Sequence, residues 1–425
     1  MKWSWKLQRM PGPERRIVDS EVIRNLKQDD VPAFWNRVAT TGTPLVMGDG
    51  AGTGSVVATF CWRDPDGDES ASPTRHVYLD ANGITDRGNL ERTALTRVSG
   101  TDLWHVSIEV PDRWRGAYRF VPSAERLAPP DGHPGWQWWR RVLADARSDP
   151  FNALPERVAQ SGTSSEAVMP AAPRQRWWTD TPGRGRLHEE SFDLAGTPRS
   201  VWIYEPPGLV AESRPVVVMF DGRTWVEEHP LAAAVDSIGD AGARVPLVVM
   251  VDSVGIDLRS EELGCSPTFA AGLVVELLPW LRRKWAATDD PASTIVAGCS
   301  LGGLTACHLA LTEPDTFGCA VSLSGSFWWP GAAPGISIQD RVSRTAVFGS
   351  RFVLEVGSLE WMLTESNREV RDLLVEKGFD VHYREFCGGH EVLQWRDRLI
   401  AGVFEMLHRP GWQDEAYGSH VELGR

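Results

Sequence analysis

The 425-residue sequence is short of positive charge. It has 44 lysines and arginines against 57 aspartates and glutamates, a formal net charge of −13. Such a balance is repelled by phosphate backbones and anionic headgroups, so neither nucleic acid nor a membrane is expected as a partner. Long hydrophobic runs are also missing. Apolar stretches such as Pro246–Val251 fall far short of the roughly 20 residues that span a bilayer. The opening Met1-Lys2-Trp3-Ser4-Trp5-Lys6 has no apolar stretch behind its charges, unlike a secretory signal. Cysteine is scarce: Cys61, Cys265, Cys299, Cys307, Cys319 and Cys387 include no C-x-x-C pair and do not read as a disulfide framework. A reducing cytoplasm is therefore the expected compartment. No protein-bound metal and no cofactor are expected. Tyrosine is rare, at 5, whereas tryptophan reaches 20. Tryptophan supplies large apolar faces for cores, interfaces and aromatic pockets.

What remains is a globular composition, 42% hydrophobic and 24% charged, at a length that suggests two domains. The periodicity changes midway. Before residue 150, the runs Val56–Trp62, Arg75–Leu79, Leu103–Val110 and Gly116–Val121 are β-rich and short. Turn clusters such as Asp64-Pro65-Asp66-Gly67-Asp68 separate them, as in a sandwich. From about Arg199 continuous apolar runs appear, including Val201–Tyr204, Val216–Phe220, Leu247–Val251, Thr294–Ala297, Ala320–Leu323, Phe352–Val356 and Val381–Phe386. Parallel strands covered on both faces have this character. Helical spacing lies between several of them, as in Phe269, Leu273, Leu277, Leu281 and Trp285, or Val392, Trp395, Leu399, Val403 and Leu407. The sequence thus predicts an α/β fold: a β-sandwich-like domain over 1–158, a linker over 159–185, a doubly wound α/β domain over 186–412 and a tail over 413–425.

One pentapeptide in the second half carries chemistry. Gly298-Cys299-Ser300-Leu301-Gly302 is a G-x-S-x-G sequence between a strand and an apolar helical stretch. That setting makes a nucleophile elbow: a sharp turn exposes Ser300, and glycines clear space for the flanking strand and helix. A serine hydroxyl needs a base. In this fold acid and histidine follow the nucleophile in the chain. His390 lies between the run Val381–Phe386 and the last helix. His308, His382 and His229 fit less well, being inside a helix, inside a strand and before the nucleophile. Glu360, just after Phe352–Val356, is the leading acid, with Glu365 and Asp380 as alternatives; Glu355 should point sideways from its strand. The oxyanion donors would be the N–H of Leu301 with that of Arg223 or Gly222, in the loop after Val216–Phe220.

With these residues in view the chain resembles the enterochelin esterases, across almost its whole length. The stretches that carry the likeness are Thr59–Pro65, Gly100–Trp104, Trp114–Phe120 and Asp149–Asn152 in the first half. In the second they are Phe220–Trp225, Asp257–Leu263, the elbow, and Val353–Gly357. The resemblance implies an N-terminal sandwich-like domain that shapes the active site of a C-terminal α/β-hydrolase with a mostly parallel sheet. It implies hydrolysis of the trilactone backbone of a ferric catecholate siderophore such as enterobactin, with iron entering only as part of the substrate. Arg223 stands where the family often carries glutamine.

A trianionic tricatecholate suits a pocket of arginines and aromatic faces. Arg223, Trp225, Arg259, Trp328, Trp329 and Trp361 are the candidate substrate contacts. Arg259 and Glu262 are spaced to pair on one helical turn. Trp136, Trp138 and Trp139 fall in a Pro/Gly-rich loop and are expected to form a lid or to dock the two domains. A hydrolase fragment starting near Arg186 is expected to retain activity on small esters. Competing readings are a feruloyl or acetyl-sugar esterase, an acyltransferase with the same triad, and a siderophore-binding protein.

Overall fold

Ser55–Arg63 and Leu103–Pro111 are buried on both faces, one against a second sheet and the other, at Cys61 and Leu103, against a helix, and the residues facing the second sheet make a sandwich core. The computed structural model describes residues 15–48, 53–86, 89–128, 136–159, 162–207, 213–330 and 336–408; the tail 413–425 lies outside them. The N-terminal strands are β1 (Leu45–Met47), β2 (Ser55–Arg63), β3 (His76–Ala81), β4 (Thr96–Arg97), β5 (Leu103–Pro111), β6 (Arg115–Ser123), β7 (Arg157–Ala159) and β8 (Gly162–Val168). They form two four-stranded antiparallel sheets, ordered β1-β2-β5-β4 and β3-β6-β8-β7. Between the sheets lie Phe60, Trp62, Leu79, Trp104, Ile108, Trp114 and Phe120. A helix over Val31–Thr41, opened by Pro32, buries Phe34, Trp35 and Val38 against Cys61 and Leu103.

Two expectations fail in this half. The stretch 159–185 is not simply a linker, because Gly162–Val168 is strand β8, paired with β6. Its small polar residues suggested a flexible crossing, yet Ser165, Glu166 and Ala167 are buried and partnered in the sheet. Likewise, Trp136–Ala144 is a helix and not a loop. Trp139 and Trp138 pack on Tyr78, Leu90, Val121, Val142 and Leu143 of the same domain. These two therefore form neither lid nor docking surface; the Trp136 side chain lies outside the described residues.

The second half is one eight-stranded sheet. Its strands are β9 (Arg186–Leu194), β10 (Thr197–Glu205), β11 (Val216–Phe220), β12 (Leu247–Val251), β13 (Thr294–Cys299), β14 (Cys319–Leu323), β15 (Arg351–Gly357) and β16 (Asp380–Phe386). The order is β16-β15-β14-β13-β11-β12-β10-β9. Strands β11 to β16 pair in parallel, and the β9–β10 hairpin closes the edge in antiparallel fashion. The central strands are wholly buried, because helices cover both faces. One face packs the helices Leu301–Thr312 and Thr364–Lys377, the other Ala232–Asp240 and Val392–Leu407. Functional loops in such sheets gather at the carboxyl ends of the strands.

Candidate active site

Strand β13 ends at Cys299, and the helix Leu301–Thr312 begins one residue later. Ser300 makes the turn with φ 60° and ψ −121°, a left-handed conformation that non-glycine residues adopt at a cost. The neighbouring glycines have a steric reason. A Cβ on Gly298 would stand 2.5 Å from the Gly302 carbonyl carbon, and one on Gly303 would stand 2.6 Å from Ser322 Oγ. The Ser300 N–H donates to the Leu323 carbonyl at 2.9 Å, which ties the turn to β14. The Ser300 hydroxyl is hydrogen-bonded to Ser326 Oγ at 3.2 Å, and Ser326 N–H donates to the Ser300 carbonyl at 3.0 Å.

Glu360 follows β15 in a tight turn and is almost completely buried. One carboxylate oxygen, Oε2, lies 2.6 Å from His390 Nδ1. The other, Oε1, accepts from Ser324 Oγ at 2.5 Å and from the Gly357 N–H at 2.8 Å. Ser324 in turn accepts from Trp395 Nε1 at 2.9 Å. The Trp395 ring meets the His390 ring edge to face, 4.6 Å away at 88°. The imidazole is thus fixed by a carboxylate oxygen on one side and by the Trp395 ring on another. Of the alternative acids, Glu365 is solvent-exposed on a helix beside Arg368, and Asp380 is exposed at the start of β16. Glu355 points sideways as expected, pairing with Arg384 and Arg398. Burial lowers His229 and His308 to a pKa of about 4, so both are neutral under ordinary conditions.

The loop after β11 passes over the carboxyl end of the sheet, where Asp221 has φ 59°. Gly222 is required there: a Cβ would stand 2.9 Å from the Met250 carbonyl. Beside the loop lies an open cleft of about 470 Å³, lined by Arg223, Trp225, Asp252, Arg259, Cys299 and Trp395 among others. The candidate substrate residues divide here. Arg223 is half exposed, pairing with Glu227 at 2.6 Å. Arg259 is held by both oxygens of Asp221, at 2.5 and 2.7 Å, and not by Glu262. Glu262 instead forms a buried pair with Arg199. Trp225 is a core residue whose Nε1 donates to the Phe220 carbonyl. Trp328 and Trp329 stack edge to face, with Trp329 against the hydrolase core. Neither they nor Trp361 line the cleft that holds Arg223. Ser324, Ser326 and Trp395 escaped the sequence reading; the Ser324-Gly325-Ser326 turn directly after β14 was the available signal.

The two halves meet beside His390. Asn82 Nδ2 donates to the His390 carbonyl at 3.1 Å, and Ala117 N–H donates to Glu391 Oε2 at 2.9 Å. Asp397 accepts from the N–H groups of Trp177 and Trp178. The Arg396 guanidinium is buried between Glu166, Gln175 and the Trp178 face. Among the described residues no group of three or more His, Cys, Asp or Glu is placed to hold a metal ion, and no single helix is long and apolar enough to cross a membrane.

Comparison with known proteins gives this geometry a setting. Residues 57–178 match the family described as "Enterochelin esterase, N-terminal", and residues 193–406 match the Esterase family. The iron(III) enterobactin esterase of Dickeya dadantii is 35% identical, the alignment covering 88% of this chain and 92% of the relative. That of Escherichia coli K12 is 31% identical, with coverage of 84% and 92%. An iron(III) salmochelin esterase of Escherichia coli is 28% identical, with coverage of 87% and 92%. The crystal structure of a ferric enterobactin esterase from Salmonella typhimurium superposes with a TM-score of 0.80 at 31% identity, covering 88% of this chain and 98% of the other. A Shigella flexneri enterobactin esterase crystallised in the presence of enterobactin gives 0.76 at 28% identity, with coverage of 88% and 97%.

Proposed function

Since the chain belongs to the enterochelin esterase family and is a carboxylic ester hydrolase, we propose that it opens the trilactone ring of a ferric catecholate siderophore, enterobactin or a close relative, through Ser300, His390 and Glu360. The observation that carries this reading is the 2.6 Å contact between His390 Nδ1 and a buried Glu360, on the same edge of the sheet as a strained Ser300. On substrate binding the Ser300 hydroxyl turns from Ser326 to His390 Nε2, which takes its proton as Oγ attacks an ester carbonyl carbon. The carbonyl π pair moves onto oxygen. Leu301 N–H, at the start of its helix, and an N–H from Gly222 or Arg223 receive that charge. Glu360 keeps the Nδ1 proton in place and stabilises the imidazolium. Collapse of the intermediate breaks the ester C–O bond, and His390 gives its proton to the departing alkoxide. Water then repeats the sequence on the acyl-serine, freeing a carboxylate and restoring Ser300.

Arg223 is the side chain best placed to meet a catecholate oxygen, being half exposed at the cleft, with its guanidinium held by Glu227 and, at 3.5 Å, by Asp252. Arg259 acts through Asp221, whose loop it braces. No cofactor enters this scheme, iron arrives with the ligand, and the reaction takes place in the cytoplasm. Opening the ring removes the covalent pre-organisation of the three catechols, so the ligand holds iron less tightly. The test is to incubate the full chain with a ferric tricatecholate trilactone and follow products by mass spectrometry. A linear trimer heavier than the trilactone by one water, followed by its dimeric and monomeric fragments, supports the reading. An intact trilactone, with turnover only of feruloyl or acetyl-sugar esters, overturns it.

A further inference from the structure

We propose that Asn82, in the N-terminal sandwich, is a positioning residue for His390, so that the sandwich is part of the catalytic scaffold. The inference rests on the triad reading above. The loop that bears the histidine, Cys387-Gly388-Gly389-His390, contains two glycines and has little stiffness of its own. Leu359 N–H of the hydrolase half donates to the Gly388 carbonyl at 3.1 Å, and the sandwich holds the loop from the other side. Asn82 Nδ2 donates to the His390 carbonyl, the direct hydrogen bond from the other domain to the histidine's own backbone. Asn82 is itself fixed: its N–H donates to the Ala117 carbonyl at 2.9 Å, and its carbonyl accepts from Nε1 of the wholly buried Trp114 at 3.1 Å.

The surrounding contacts close on the same loop. Gly83, at φ +72°, lets its backbone approach Gly389; a Cβ there would stand 3.0 Å from Gly389 Cα and from Leu359 Cβ. A Cβ on Gly389 would run into Asn82 Oδ1. Past the histidine, Ala117 N–H holds Glu391, and the Arg115 carbonyl accepts from Gln394 Nε2 at 2.5 Å. Leu359, next to the acid, is a member of the sandwich core. The acid and the base therefore both project from backbone held by the other domain. Burial pushes the Glu391 carboxyl up to about 8, as expected where that junction is closed to water. A catalytic group displaced by about 1 Å can lose on the order of 100-fold in rate, so one hydrogen bond to this loop matters.

The decisive variant is Asn82→Asp, which keeps the shape but presents an acceptor to the His390 carbonyl; Asn82→Ala removes the contact without adding charge. Both are assayed in the full chain on a small aryl ester, with melting temperature and the downfield Nδ1–H proton resonance of ¹⁵N-labelled His390. We expect kcat to fall by about 10-fold or more in both, with KM little changed and the resonance shifted or broadened. Wild-type kcat with an unchanged resonance in both variants overturns the proposal. A fall in kcat that merely tracks a lower melting temperature, with the resonance unchanged, also overturns it. Ser300→Ala is run in parallel: activity in that variant would sink the triad itself. Silent Asn82 variants beside an inactive Ser300→Ala would sink only the role of Asn82.

Discussion

Ser300 and His390 are held in opposite ways. Everything that shapes Ser300 lies within the hydrolase half: its own glycines, the end of β13, the helix behind it, the Leu323 backbone of the next strand and the Ser326 N–H just beyond it. The His390 loop is gripped from outside as well, by Asn82, Gly83, Arg115 and Ala117 of the sandwich. The Ser300 turn is thus shaped by sequence neighbours, whereas the His390 loop is also held by a residue 308 positions away. In an enzyme of this kind the second domain need not touch substrate to matter. It can act by holding the backbone of the His390 loop.

Changes on the two sides of this comparison should fail differently. After loss of Ser300 itself, the largest effect is expected at Glu360. Glu360→Gln keeps the volume but offers an amide where a carboxylate faced His390, and kcat should fall by roughly 10²–10⁴ through the wrong tautomer. A silent Glu360→Gln, with Glu365→Gln or Asp380→Asn crippling, would move the acid elsewhere. Next comes the domain junction. Arg396→Met leaves Glu166 buried with one fewer partner. Losing one member of a buried pair typically costs about 3–5 kcal/mol, here softened by Arg115 and Arg157, which also face Glu166. Urea unfolding should show the loss, and activity should fall before global unfolding because the histidine loop loosens first. Coincident loss of activity and fold would make the junction a plain stability element.

Ser324→Ala is milder. It removes one donor from Glu360 Oε1 and leaves Trp395 Nε1 without its acceptor. A drop of about 10-fold in kcat is expected, with roughly 1–3 kcal/mol lost in stability; an unchanged kcat would show that Gly357 N–H alone holds the carboxylate. The last effect concerns pH. Glu391 is raised by burial from an ordinary 4.5 to about 8, so its neutral form is favoured in the folded chain. Its contribution to stability is complete below the unfolded value near 4.5. That contribution is lost progressively as pH rises through about 8. Glu391→Gln, which keeps an acceptor for the Ala117 N–H, should flatten this decline and leave the variant relatively more stable at alkaline pH. Parallel stability–pH curves for the two proteins would contradict the assignment.

What could be seen in the sequence follows the same division. The elbow is contiguous, so its glycines, strand and helix announce it in a dozen residues. The parallel strands were legible because burial on both faces leaves uninterrupted apolar runs, as in Val216–Phe220. The edge strand β9 was missed since its residues alternate between exposed and half-buried, with Glu189 and Glu190 in the middle. Strand β8 was hidden by serines and a glutamate whose partners, Asp149, Arg115 and Arg157, are distant in sequence or of the opposite charge. Asn82 and Gly83 looked like an ordinary turn, because nothing local says that another domain presses against it. For the same reason a free-standing hydrolase fragment was expected to work on small esters. The grip on His390 predicts that such a fragment would be impaired on every ester.

The most direct test of the central claim is single-turnover cleavage of a ferric tricatecholate trilactone by Ser300→Ala, with melting temperature and ligand binding checked to match wild type. Loss of the nucleophile alone in a Ser-His-acid enzyme costs on the order of 10⁶ in kcat. We predict that no linear product forms on the timescale of many wild-type turnovers. Cleavage by Ser300→Ala within about tenfold of wild type, a difference of only about 1.4 kcal/mol in barrier, would contradict the account.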